Sequence, residues 1–192
     1  MSFPASMTSA LIEGHDATSR NAAKNPYEGL ISFTYGFLRF PPLAGAITDM
    51  HFVTRNRFGR TAVFMARQIA DGKARGRSTV LGIGVDEASG IVIDRHGIGT
   101  LLVQWKGGSA YLIRGGAARK IDHGRPFVSA TLTVTKLSAQ GDRFDFNTWC
   151  GREPTYEVTV NGRRTDRRMY SPENPYRPPP GSRIPKCATP SL

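Results

Sequence analysis

One stretch of the chain concentrates residues able to move protons and hold anions: Thr48-Asp-Met-His-Phe-Val-Thr-Arg-Asn-Arg-Phe-Gly-Arg60. A histidine titrates near neutral pH, so His51 can serve as a general base. Arg55, Arg57 and Arg60 follow it, and guanidinium groups hold carboxylates through forked hydrogen bonds. A second stretch, Val80-Leu-Gly-Ile-Gly-Val-Asp-Glu87, ends in two adjacent carboxylates. A carboxylate that accepts an imidazole N–H orients the ring and stabilises its protonated form. Taken alone, each stretch also admits a plain structural role. His51 can be a satisfied structural histidine, the arginines a solvated helix start, and Asp86-Glu87 a polar turn.

The surrounding elements decide whether these groups can meet. Leu43–Thr48 is a short apolar run that suits a buried strand ending at Asp49, and Thr79–Val85 is another. Between them Phe58, Ala62, Met65, Ala66 and Ile69 recur at helical spacing, which predicts an amphipathic helix over Arg57–Ala70. In open α/β sheets, sites form beyond the carboxyl ends of the strands, where both stretches would lie. Gly72–Ser78 reads as a basic loop. Then come short strand-like runs at Gly90–Asp94, Gly99–Trp105 and Ala110–Arg114. Phe127–Leu137 alternates, with Val128, Ala130, Leu132 and Val134 on one face. Tyr156–Val160 followed by Asn161-Gly162 carries a hairpin signal. The pattern predicts an α/β sheet with a C-terminal β extension. Residues 1–165 form the domain, and the Pro- and Arg-rich 166–192 read as a disordered tail.

Composition narrows the function classes. The 192 residues are 39% hydrophobic and 21% charged, which fits a globular chain and excludes coiled-coil and collagen-like architectures. No apolar run approaches the roughly 20 residues of a membrane span, so no membrane partner is expected. Residues 1–20 lack the charged–apolar–small order of a secretory signal, which makes the cytoplasm the default compartment. Cys150 and Cys187 are too few for a disulfide scaffold and sit in no metal-binding spacing. Cys150 reads as a small buried residue and Cys187 as part of the tail. No metal or cofactor is called for. The net charge is +11, with much of the excess at Arg163, Arg164, Arg167, Arg168, Arg177, Arg183 and Lys186. No aromatic platform accompanies these residues, so nucleic-acid binding ranks below a solvated basic tail.

The runs Asp-x-His-Phe-x-x-Arg-x-Arg-x-Gly-Arg at 49–60 and Gly-Ile-Gly-Val-Asp-Glu at 82–87 resemble the cyanophycinase and peptidase E (aspartyl dipeptidase) family of serine hydrolases. Ser6-Met-Thr-Ser-Ala10, Asn25-Pro-Tyr27 and Phe37-Leu-Arg39 are similar to the family's linker between nucleophile and histidine. The resemblance spans about residues 6–137. It implies part of a flavodoxin-like sheet sandwich, related to class I glutamine amidotransferases. It also implies cleavage at aspartyl residues, in aspartyl peptides or in the arginine-decorated polyaspartate cyanophycin.

On that resemblance His51 is the catalytic base and Glu87 its acidic partner, with Asp86 the alternative. Asp49, Arg55, Arg57 and Arg60 line the site and bind acidic substrate groups. Met50 departs from the glutamine usual in cyanophycinases. The family's Gly-x-Ser-Ala-Gly nucleophile elbow does not precede His51: Ser2, Ser6 and Ser9 lack flanking glycines. Gly107-Gly-Ser-Ala110 follows the histidine and reads as a hairpin turn, whereas an elbow serine opens a helix. The expectation is therefore a truncated hydrolase, inactive alone, that exposes an apolar sheet edge and self-associates, for example as a homodimer. A non-catalytic module for acidic ligands is the alternative.

Overall fold

The apolar alternation of the central strands sets the layering. In the computed structural model, residues 2–4, 17–29, 31–35, 40–74, 79–105, 107–116 and 121–187 are described. The linker pieces Ser6–Ala10 and Phe37–Arg39, and residues 75–78 of the basic loop, lie outside them.

Two short strands, β1 (Ser2–Pro4) and β2 (Phe33–Tyr35), pair antiparallel, and a short helix α1 (Ser19–Lys24) lies between them in sequence. Next come β3 (Ala46–Met50), α2 (Phe58–Ala70) and β4 (Thr79–Val85), with β3 and β4 parallel in the register Asp49↔Gly84. Then follow β5 (Ser89–Ile93), β6 (Ile98–Val103), β7 (Ala110–Gly116), β8 (Leu132–Leu137), β9 (Arg143–Asp145), β10 (Cys150–Gly151), β11 (Thr155–Val160) and β12 (Tyr170–Ser171). They form a six-stranded mixed sheet, β12-β11-β8-β7-β4-β3, and a four-stranded sheet, β10-β9-β6-β5. The fold is α/β, with few helices and two stacked sheets. Among the described residues β3–β4 is the parallel pair, and the other ladders are antiparallel.

Strand β7 shows why the layers stack. Its Tyr111 and Ile113 pack with Ile47, Val63, Phe64, Met65 and Val134 on the α2 side. Its Ala110 and Leu112 pack with Ile83, Leu101, Leu137, Phe144 and Phe146 against the second sheet. A strand buried on both faces reads as a continuous apolar run, as Ala110–Ile113 does. The two glycines of Gly82-Ile-Gly84 face α2. A Cβ on Gly82 would lie 2.7 Å from Met65 Sδ, and one on Gly84 would lie 2.4 Å from the Phe52 ring. Helix and turn therefore settle closer to β4 than side chains there would permit.

Several expectations are revised. Gly107–Ser109 does not close a hairpin: β6 belongs to the four-stranded sheet and β7 to the six-stranded one, so the segment crosses between layers. The alternation over 127–137 breaks phase. Phe127 and Ser129 are buried, as are Leu132 and Val134, and β8 begins only at Leu132. Ser129 explains the break: its N–H donates to the Val160 carbonyl, and its hydroxyl accepts the Val160 N–H at 2.7 Å. Asn161-Gly162 is not a two-residue hairpin either. The chain returns to β11 after a single 3₁₀ turn at Asp166–Met169, pairing Val160 with Tyr170.

The segment after 166 is not a free tail as far as Cys187. Tyr170 is buried, and Tyr176 packs edge-on against Phe52, Phe58 and Tyr111. Cys150 and Cys187 form a disulfide across 37 residues, so Cys150 is not simply a small buried residue. Among the described residues no helix is long and apolar enough to cross a membrane.

Candidate functional site

β3 ends at Met50, and the chain turns sharply before α2. His51 and Asn56 both have positive φ, 53° and 46°, so the turn is left-handed at each end. Histidine and asparagine are among the residues that tolerate this region. Three backbone hydrogen bonds close the turn: Arg55 N–H to His51 O, Asn56 N–H to Val53 O, and Arg57 N–H to Phe52 O at 2.8 Å. Phe52 N–H also donates to Val85 O, which ties the turn to the end of β4.

The carboxylates at that end divide the work. Glu87 Oε1 lies 2.7 Å from His51 Nδ1 and accepts a further hydrogen bond from the Thr54 hydroxyl at 3.3 Å. Both partners are substantially open, with side chains 39% and 52% exposed. Asp86 turns the other way: its Oδ1 accepts the Val53 N–H at 2.8 Å, and its own N–H donates to Ser109 O. Of the two candidate partners for His51, the geometry places Glu87 at the ring and gives Asp86 the turn. Burial raises the Asp86 carboxyl above the usual carboxylate range, against the Val53 hydrogen bond and the charge of Lys136, which lower it.

The arginines separate sharply. Arg55 is exposed beside the His51 turn. Arg57 is 5% exposed and forms the N-cap of α2. Arg60 is 4% exposed, and its guanidinium is committed to Asp49, with Nε donating to Oδ2 at 2.7 Å and a terminal nitrogen donating to Oδ1. Asp49 also accepts from the Thr61 hydroxyl and the Met50 N–H. This pair is a buried brace between β3 and α2. Met50 is 68% exposed next to His51.

Three hydroxyls that sequence reasoning missed satisfy the open N-terminus of α2. Phe58 N–H donates to the Tyr176 hydroxyl, Gly59 N–H to the Tyr170 hydroxyl, and Arg60 N–H to the Ser19 hydroxyl. Both tyrosine hydroxyls donate in turn to Asn56 Oδ1, at 2.9 and 2.8 Å. The available signal was negative: Arg57 at the N-cap has no side-chain acceptor for these donors, so they must come from elsewhere.

Ser109 is buried at the entry to β7 and does not open a helix. Among the described residues no group of three or more His, Cys, Asp or Glu could hold a metal ion. The chain matches no model of a known protein family, and no curated protein matches it.

Proposed function

We propose that this chain carries the histidine and carboxylate of a cyanophycinase- and peptidase E-like serine hydrolase site acting on aspartyl peptides. The observation that carries the reading is the 2.7 Å contact between His51 Nδ1 and Glu87 Oε1 at the ends of two neighbouring strands. An ionised carboxylate only accepts hydrogen bonds, so Glu87 keeps the ring proton on Nδ1 and leaves the Nε2 lone pair free. In the proposed reaction Nε2 takes the proton of a serine hydroxyl as it attacks the aspartyl carbonyl, then delivers it to the leaving amine. Glu87 stabilises the imidazolium between those steps. Arg55, open to solvent in the turn that carries His51, supplies positive charge for an acidic substrate group.

The reading needs a serine in a strand-to-helix elbow with its oxyanion donors, and no Gly-x-Ser-Ala-Gly run precedes His51. We therefore place the nucleophile in sequence upstream of Met1, which makes the 192 residues an inactive part of the reactive protein. A fluorophosphonate probe tests this: it should tag a chain extended by the upstream coding sequence and leave the 192-residue chain unlabelled. Labelling of the shorter chain at Ser109 would overturn it.

The second reading is a binding module for acidic ligands without turnover. It is favoured by an exposed Arg55 beside a histidine that has no elbow serine within these residues. It requires aspartyl-peptide binding by the chain as it stands, weakened in Arg55→Ala.

A further inference from the structure

The chain beyond β12 forms a strap that runs back over the His51 turn. The Tyr156 hydroxyl donates to Pro175 O at 2.9 Å, and Tyr176 then enters the aromatic group of Phe52, Phe58 and Tyr111. Its hydroxyl donates to Asn56 at one end of the turn and accepts the first free N–H of α2. Past Tyr176 the strap has no core of its own, because none of residues 177–187 is buried. Two kinds of anchor hold this stretch against the rest of the chain. Thr155 donates its N–H and hydroxyl to Arg183 O, at 2.8 and 3.1 Å, and Cys187 is bonded to Cys150. Cys187 is exposed and Cys150 half-buried, so a small thiol can reach the bond.

We propose that Cys150–Cys187 is a thiol-reducible latch on this strap. Closed, it holds Tyr176 against Asn56 and Phe58 and so keeps the 51–57 turn in its tight form. A dithiol opens it by exchange: one thiolate attacks a cysteine sulfur and expels the other cysteine as its thiolate, and the second thiolate attacks the resulting mixed disulfide and expels the remaining cysteine. The reductant leaves as its cyclic disulfide, and the two cysteines take up two electrons and two protons. Residues 177–187 then keep the Thr155–Arg183 hydrogen bonds and the partial packing of Pro178, Pro179 and Pro185, which solvent competes for at an exposed site. Tyr176 withdraws, Asn56 keeps only the Tyr170 donor, and the Phe58 N–H meets water. The proposal does not depend on whether His51 is catalytic.

Amide hydrogen exchange on the oxidised 192-residue chain, with and without dithiothreitol, tests it. Reduction should speed exchange at Phe58 and at Thr155, whose N–H donates to Arg183 O, by at least tenfold. It should leave Leu112 and Val134 in β7 and β8 unchanged and move the ring resonances of His51. Cys187→Ser should show the reduced pattern without reductant and no further response to it. Tyr176→Phe in the oxidised chain should speed Phe58 while Thr155 stays protected. Unchanged exchange at Phe58 after reduction overturns the latch and leaves an inert staple. Equal acceleration at Leu112 and Val134 overturns it too, because the bond then supports the whole fold.

Discussion

Arg60 and Asp49 hold each other beneath the turn that carries His51, through two hydrogen bonds between side chains that are 5% and 3% exposed. Asp49 sits at the inward position of β3, on the face of Ile47, and Arg60 lies in the first turn of α2. The pair therefore sets where the helix starts relative to the strand end, and with it the span the His51 turn must bridge.

Removing one member of such a pair strands a buried charge, at a cost of about 3–5 kcal/mol. Arg60→Met and Asp49→Asn should each lower the urea midpoint accordingly. Asp49→Asn combined with Arg60→Met removes both charges and keeps an acceptor for Thr61 and the Met50 N–H. That double variant should recover at least half of the loss. Additive losses in the double variant would show that the two residues act separately.

Gly84→Ala puts a methyl group into the Phe52 ring, 2.4 Å from its nearest carbons. Overpacking of this kind costs about 1–3 kcal/mol. Phe52 follows His51 directly, so the variant should also move the His51 ring resonances. Gly90→Ala, which meets nothing within 4 Å, is the control and should stay within about 0.5 kcal/mol of the parent. Thermal or urea unfolding of the two variants decides it.

These two cases show which parts of the chain were legible. The β3–α2–β4 unit follows from apolar periodicity, and the meeting of His51 with Glu87 follows from two neighbouring strands ending at one edge. The arginines were not legible by type, because a guanidinium serves a substrate or a buried carboxylate equally well. The deciding clue was phase: Asp49 shares a strand face with Ile47, and an acid on a core face demands a partner. Tyr176 was hidden because Tyr-Arg-Pro-Pro-Pro-Gly has a tail's composition, while its hold comes from residues more than sixty positions away. The Cys150–Cys187 bond has the same character, since two isolated cysteines carry no local sign of proximity.

Asp86 makes stability depend on pH with a definite sign. Burial lifts its carboxyl above the unfolded value of about 3.9. Its contribution is complete below that value and is lost as pH rises through the folded one. Asp86→Asn keeps an acceptor for Val53 N–H and removes this titration. Relative to the parent, the variant should gain stability steadily as pH is raised from 3 toward 7. The charge of half-buried Lys136 attracts only the ionised Asp86 carboxylate, so it reduces the slope without reversing its sign. Parallel curves from urea titrations across that range would contradict the assignment.

The His51–Glu87 contact makes a prediction about the ring itself. Glu87 accepts, so neutral His51 should carry its proton on Nδ1, and two-bond proton–nitrogen spectra should show that form. Glu87→Gln places an amide that can donate to Nδ1, which drives the proton to Nε2 and removes the outward lone pair. Both side chains are open to solvent, so the substitution should change stability by less than about 1 kcal/mol. In a chain that also carries the nucleophile, a ring in the wrong tautomer should lower kcat on the order of 10⁴-fold. Thr54→Val, which removes the hydroxyl's hydrogen bonds to Glu87 and to the His51 carbonyl, should leave the Nδ1 form in place. An Nε2-protonated ring in the unsubstituted chain would take the general base away from this site.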